Sequence, residues 1–209
     1  MHAVHVLQTR WAVDLFGEAL DTLARSHPHA TTFCQDACSF LAGCRDRKEG
    51  YPHPGPSPPG VLRMLVGGPP CQGFSGANRG EKEKKHRKNV LVPLFLSVLD
   101  TLRFDMMILK NVAGLLATED TLECILTALA SMGYQTRMCF LDAGGYGVAQ
   151  HRVRVIILAA LHGLPLPEIP SPTHVFNAGG YEEGQLRCTE EVRPQTAAAG
   201  GEAAGRLHC

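Results

Sequence analysis

Short apolar runs alternate with amphipathic stretches along most of the chain. Residues 8–13 suit a strand, and 14–27 follow with Phe16, Ala19, Leu20 and Leu23 spaced for one helix face. Thr31, Thr32 and Phe33 suit a second short strand, and 39–44 a helical turn. Residues 63–67 form a short apolar run of the buried-strand kind, 90–102 a buried helix, and 104–109 a strand of the parallel-sheet kind. The clearest helix covers 119–132. Leu122, Ile125, Leu126 and Leu129 make its apolar stripe, Glu119 and Asp120 meet the helix dipole in its first turn, and Gly133 suits its C-terminal cap. Residues 134–141 and 153–161 are strands, joined by a loop that carries Gly144, Gly145 and Gly147. Strands alternating with helices predict an open α/β sheet with helices on both faces.

Two stretches break this pattern. Residues 45–60 hold Pro52, Pro54, Pro56, Pro58 and Pro59 with several glycines, and read as a solvated loop insertion. From residue 177 the periodicity fades, and Ala197-Ala198-Ala199-Gly200-Gly201 begins a low-complexity stretch, so 177–209 reads as a disordered tail. A length of 209 residues otherwise allows one domain of ordinary size, here 1–176.

Lys plus Arg equals Asp plus Glu at 20 each, so global charge does not indicate a partner. Local charge does: 79–89 holds six Lys or Arg against two Glu. Eight cysteines, no start of the signal-peptide kind and no run of membrane-spanning length imply reduced thiols in the nucleus or cytosol, with no membrane partner. Cys34, Cys38 and Cys44 lie near His27, His29 and His53, but no C-x-x-C pair accompanies them; no metal site is expected.

Cys71 follows the strand at 63–67 through Gly67-Gly68-Pro69-Pro70. Ligands in open α/β sheets sit beyond the carboxyl ends of strands, and two prolines stiffen the approach. A thiol held on such a loop suits a covalent nucleophile, although a lone Cys there also reads as a small buried hydrophobe. The surrounding Gly68-Pro69-Pro70-Cys71-Gln72-Gly73-Phe74-Ser75 resembles the nucleophile motif of the DNA cytosine-5 methyltransferases. Gln150-His151-Arg152-Val153-Arg154 fits that family's Gln-x-Arg-x-Arg, and Lys110-Asn111-Val112 stands where the family has Glu-Asn-Val. The resemblance runs from about Thr9 to Phe176 and is greatest to the eukaryotic maintenance-type branch. It makes 1–176 a partial catalytic domain with an incomplete Rossmann-like sheet, of the type that uses S-adenosylmethionine.

In the family the target cytosine is flipped out of the duplex, a Cys thiolate attacks C6, and C5 takes the methyl from S-adenosylmethionine. The resemblance makes Cys71 the nucleophile, and Arg152 and Arg154 residues that hold the active site. Gln72, Ser75, Arg79 and Lys88 fall in the family's mobile loop beside the DNA, where basic charge suits phosphate. Asp14 takes the place of the acid that binds the ribose hydroxyls, with Leu15 beside it and Phe16 placed to stack on adenine. Asp36, Ala37 and Pro69 match further cofactor positions. Without the resemblance, Asp14 reads as a helix N-cap and Phe16 as core. A nuclear location and DNA as partner follow from the same likeness.

The chain departs from the pattern at four points. No Gly-x-Gly precedes Cys71, where the family has a glycine loop for the methionine end of the cofactor. The target-recognition region and the segment that returns to the sheet have no counterpart. Lys110 replaces the catalytic Glu. An ammonium has three donors and no acceptor, so it cannot accept from the cytosine amine. The expectation is a methyltransferase centre without turnover, or a silent nucleic-acid-binding fragment, or a degenerate copy without function.

Overall fold

The computed structural model describes residues 7–70, 91–116, 119–174 and 187–188. The chain divides into two compact units. One is Met1–Gly55 with Thr101–Arg103, the other Pro56–Asp100 with Phe104–Cys209.

In the first unit, β1 (Trp11–Asp14) and β2 (Thr31–Cys34) run parallel, with Asp14 opposite Cys34. A parallel pair needs a crossover, and α1 (Gly17–Ser26) supplies it, burying Leu20. Phe16 does not join that face: it precedes the helix as its N-cap residue and is 70% exposed. The helix therefore starts three residues later than the apolar spacing implies. After β2 comes α2 (Ala37–Arg45), a full helix where the sequence suggested one turn. Asp36 caps it, accepting from Ser39 N at 2.9 Å. Phe33, Phe40 and Tyr51 pack together, with ring centroids 4.5–5.8 Å apart. Tyr51 also bonds Gln35, and Pro52 is buried, so the proline-rich loop is anchored at its start and not wholly solvated.

The second unit is built on a five-stranded sheet in the order β3-β4-β6-β5-β7. β3 (Met64–Gly67) and β4 (Met106–Asn111) are parallel, joined through a segment that contains α3 (Leu91–Leu102). α4 (Glu119–Ser131) precedes β5 (Tyr134–Asp142) and buries Ile125 and Leu129 from its predicted stripe. Gly133 takes φ +87°, as the helix stop requires. β6 (Val153–Leu161) runs antiparallel between β4 and β5. The sheet is therefore mixed. Because β5 is antiparallel to β6, it runs in the direction of β4 and β3, and the carboxyl ends of all three lie at the end where β6 starts.

Leu109, Val155, Ile157, Ala159 and Ala160 are fully buried, which fits strands covered on both faces. The root of β3 is fixed by Asp105, whose Oδ2 accepts from Arg63 N at 2.6 Å and from Ser57. β7 (Arg187–Cys188), inside the tail, pairs antiparallel with β5 and sets Cys188 opposite Cys139. Cys139 is disulfide-bonded, against the expectation of reduced thiols throughout.

Candidate active site

Sheet direction decides what gathers around the approach to Cys71. β3 ends at Gly67 and β4 at Asn111, adjacent and parallel, and the chain leaves β3 through Gly68, Pro69 and Pro70. Cys71, Gln72, Ser75, Arg79 and Lys88 lie outside the described residues. Their approach is fixed from β4. Asn111, only 3% exposed, donates from Nδ2 to Pro69 O at 3.1 Å and accepts from Val112 N at 2.9 Å. Both ends of a buried amide are thus satisfied, as burial demands. Sequence reading passed over Asn111, although it sits in the middle of the Lys110-Asn111-Val112 motif; its donor and acceptor were the available signal.

Strand alternation puts Lys110 on the face opposite Asn111. Lys110 is exposed, and its ammonium overhangs Gly68: a Cβ added there would lie 3.3 Å from Lys110 O and 3.6 Å from Nζ. Glycine eases this close approach to the Lys110 carbonyl, and no unusual φ calls for it. On the other face a Cβ on Gly67 would collide with the Phe95 ring of α3, so Gly67 lets that helix pack close to the end of β3.

Lys110 is in register with Ile156 of β6, and Arg154 stands two residues before Ile156, on the same face. Arg154 Nη1 donates to Val153 O at 2.7 Å, while its Nε is buried and has no acceptor among the described residues. A buried N–H without a partner costs roughly 1–3 kcal/mol. The residue in register with Arg154 on β5 is Leu141, so that strand offers no acid at this position either.

Arg152 is exposed beside the loop that joins β5 to β6. Asp142 organises that loop. Its Oδ1 accepts from Arg152 N at 2.9 Å and Gly144 N at 3.2 Å, and its Oδ2 meets His151 Nδ1 at 2.5 Å. Partial burial pushes the Asp142 carboxyl up, but the bonds from Arg152, Gly144 and His151 outweigh it and hold it below its ordinary value. Across the loop, Thr173 and His174 donate their backbone N–H groups to Gly145 O, and Tyr146 donates to Pro170 O. No separate sequence signal marks the Asp142–His151 pair, because the two stand at opposite ends of the loop.

The first unit holds the other predicted residues. Asp14 ends β1, and its Oδ1 accepts from Phe16 N at 2.9 Å; the carboxylate caps a turn ahead of α1 and not the helix itself. Among the described residues its Oδ2 accepts nothing, and it is exposed along with Leu15 (66%) and Phe16 (70%). Asp14, Leu15 and Phe16 thus present an open carboxylate and an uncovered aromatic ring, which suits a ribose and a purine. Asp36 is less available. Its two oxygens take Ser39 N and Ser39 Oγ, and these bonds lower its pKa. Ala37 opens α2 directly behind it. Among the described residues no group of three His, Cys, Asp or Glu could hold a metal ion, and no helix is long and apolar enough to cross a membrane.

Known proteins place these features in context. The profile of the C-5 cytosine-specific DNA methylases matches residues 57–193. DNA (cytosine-5)-methyltransferase 1 of Gallus gallus is 39% identical over 183 residues, covering 84% of this chain and 12% of that protein. The Mus musculus enzyme of the same name is 39% identical over 180 residues, covering 84% of this chain and 11% of that protein. The chain thus spans about an eighth of the length of these relatives. Among solved structures, a putative DNA modification methyltransferase encoded within an E. coli prophage superposes with a TM-score of 0.55 at 19% identity, covering 78% of this chain and 45% of that one. Spodoptera frugiperda DNMT2 gives 0.52 at 18% identity, covering 74% and 43%. At such identities these two speak for the fold alone.

Proposed function

The chain belongs to the C-5 cytosine-specific DNA methylases, whose methyl donor is S-adenosylmethionine, and from that premise we propose that it carries part of a DNA cytosine-5 methyltransferase centre in which turnover is lost. Cys71 is the nucleophile of that centre, and Arg152 and Arg154 are its supporting cations. Asp14 binds the ribose hydroxyls of the donor and Phe16 stacks on its adenine; the donor, when bound, supplies an electrophilic methyl group. Gln72, Ser75, Arg79 and Lys88 face DNA, and the site of action is the nucleus. Residues 1–176 form the partial catalytic domain, and Arg187–Cys188 from the remainder pairs with its sheet.

The observation that carries the reading is the place of Lys110. It stands one residue before the end of β4, beside Gly68, where the family motif has Glu. In the family the Glu at this place hydrogen-bonds N3 and the exocyclic amine of the cytosine, and so promotes the attack of the thiolate. Lys110 can only donate, and it repels a protonated ring. Loss of a positioned acid or base of this kind costs about 10²- to 10⁴-fold in rate.

The test is transfer of labelled methyl from S-adenosylmethionine to hemimethylated duplex DNA. The expected result is no transfer above background, together with donor binding that weakens in Asp14→Ala. Transfer by the unmodified chain that disappears in Cys71→Ala would overturn the proposal.

A further inference from the structure

The β5 side of the five-stranded sheet carries a feature that the proposed centre does not use. Cys139, fully buried in β5, is disulfide-bonded. Cys34, Cys38, Cys44 and Cys124 are free. Of the eight cysteines, that leaves Cys71, Cys188 and Cys209 as partners. The segment leading to Cys71 leaves the sheet from β3, three strand positions from β5, or about 14 Å at the usual strand spacing. Cys188 stands directly opposite Cys139 in the β5–β7 register. Directly opposed residues of an antiparallel pair have Cα atoms about 4.5–5.5 Å apart, inside the range that a disulfide spans. Cys209 lies outside the described residues.

We propose that Cys139 and Cys188 form a redox-sensitive latch that fastens residues 177–209 to the sheet. β7 has two residues, and its strand partner is β5. So short a strand has little hold of its own, and the covalent bond is what keeps it in place. β7 covers β5 at Cys139 and Phe140, just before β5 runs into Asp142 and its loop. Reduction releases β7 and leaves that edge of β5 with unpaired backbone groups. The co-reactant is a small thiol–disulfide couple of the glutathione kind. In oxidation the Cys188 thiolate attacks the glutathione disulfide, forms a mixed disulfide and expels one glutathione thiolate. Cys139 then gives up its proton and attacks Cys188 Sγ, expelling the second. Two protein thiols are oxidised, and one glutathione disulfide becomes two thiols. Reduction is the reverse, and local opening of a two-residue strand lets the attacking thiolate in.

The test equilibrates the full chain with glutathione buffers of graded thiol-to-disulfide ratio, quenches with acid and maps linked peptides by mass spectrometry. The expected result is a Cys139–Cys188 link that forms in the oxidising buffers and is lost in the reducing ones. Brief trypsin treatment reads the consequence. Cleavage after Arg187, inside β7, should be at least about tenfold faster in the reduced chain. Cys188→Ser should be cut at the fast rate in both buffers, and amide spectra that overlay those of the reduced parent over 91–174 show that the variant folds. Cys139 linked to Cys71 or Cys209, or linked to nothing in any buffer, would sink the latch. A link that persists at every ratio would make it a fixed staple, and cleavage after Arg187 that ignores redox state would remove its effect; either result also defeats the proposal. Neither methyl donor nor DNA is present, so the outcome is independent of the proposed centre.

Discussion

Asn111→Ala removes the tether that fixes the approach to Cys71 from β4. The substitution deletes one donor, to Pro69 O, and one acceptor, for Val112 N. Each bond is worth about 1 kcal/mol net, and a buried group left unpaired costs a further 1–3 kcal/mol. Half-buried Pro69 can turn its carbonyl to water, whereas Val112 is half-buried and its carbonyl accepts from the fully buried Leu115. The net cost is therefore about 2–3 kcal/mol, most of it at Val112. If opening is local, a loss of about 2 kcal/mol speeds exchange of the Val112 amide by roughly 30-fold. Hydrogen exchange resolved by residue measures this directly, and urea unfolding gives the global value. Asn111→Asp separates the two bonds. Its carboxylate still accepts from Val112 N but faces the Pro69 carbonyl with a second acceptor, so exchange at Val112 stays slow while 68–70 loosens. Val112 exchange in Asn111→Ala within a factor of three of the parent would refute this account.

Gly67→Ala should destabilise the second unit by about 1–3 kcal/mol in urea unfolding, because its Cβ meets the Phe95 ring and an overpacked contact must shift. The Asp142 carboxyl is held below its ordinary value, so its stabilisation is complete above the unfolded carboxylate pKa near 3.8 and is lost as pH falls through the lower folded value; Asp142→Asn should flatten the acid side of the pH–stability curve below about pH 4. Burial raises the Cys44 thiol to about 11, so alkylation of the native chain at pH 8, mapped by mass spectrometry, should spare Cys44 while labelling exposed Cys34, Cys38 and Cys124.

What could be read from the sequence was governed by the range of each interaction. Strands and helices follow local periodicity, so 153–161 and the stripe of Ile125 and Leu129 were found as they stand. Gly133 as a helix stop is also a local property. Phe16 was misplaced because apolar spacing does not know where a helix begins: the Asp14 carboxylate bonds Phe16 N and keeps the ring ahead of the first turn. The direction of β6 was invisible, since an apolar run looks the same in parallel and antiparallel pairing. That direction brings Arg154 onto the face of Lys110, and so the orphaned Nε could not be anticipated from the motif alone. Cys139 was read as a thiol because compartment is inferred from the whole chain, whereas its disulfide reflects one local encounter.

The antiparallel placing of β6 also has a consequence in time. β5 and β6 pair along their full length, from Tyr134 with Leu161 to Asp142 with Val153, across a short loop. β4 pairs with β6 across a longer stretch of chain that includes α4 and β5. Local contacts cost less loop entropy, so the expectation is that the β5–β6 hairpin assembles first and β4 slots in afterwards. φ-values near one at Cys139 to Phe140 and near zero at Ile108 to Leu109 would fit this order, and the reverse pattern would exclude it. Docking of β4 is then the step that sets Lys110 opposite Ile156, on the face that carries Arg154.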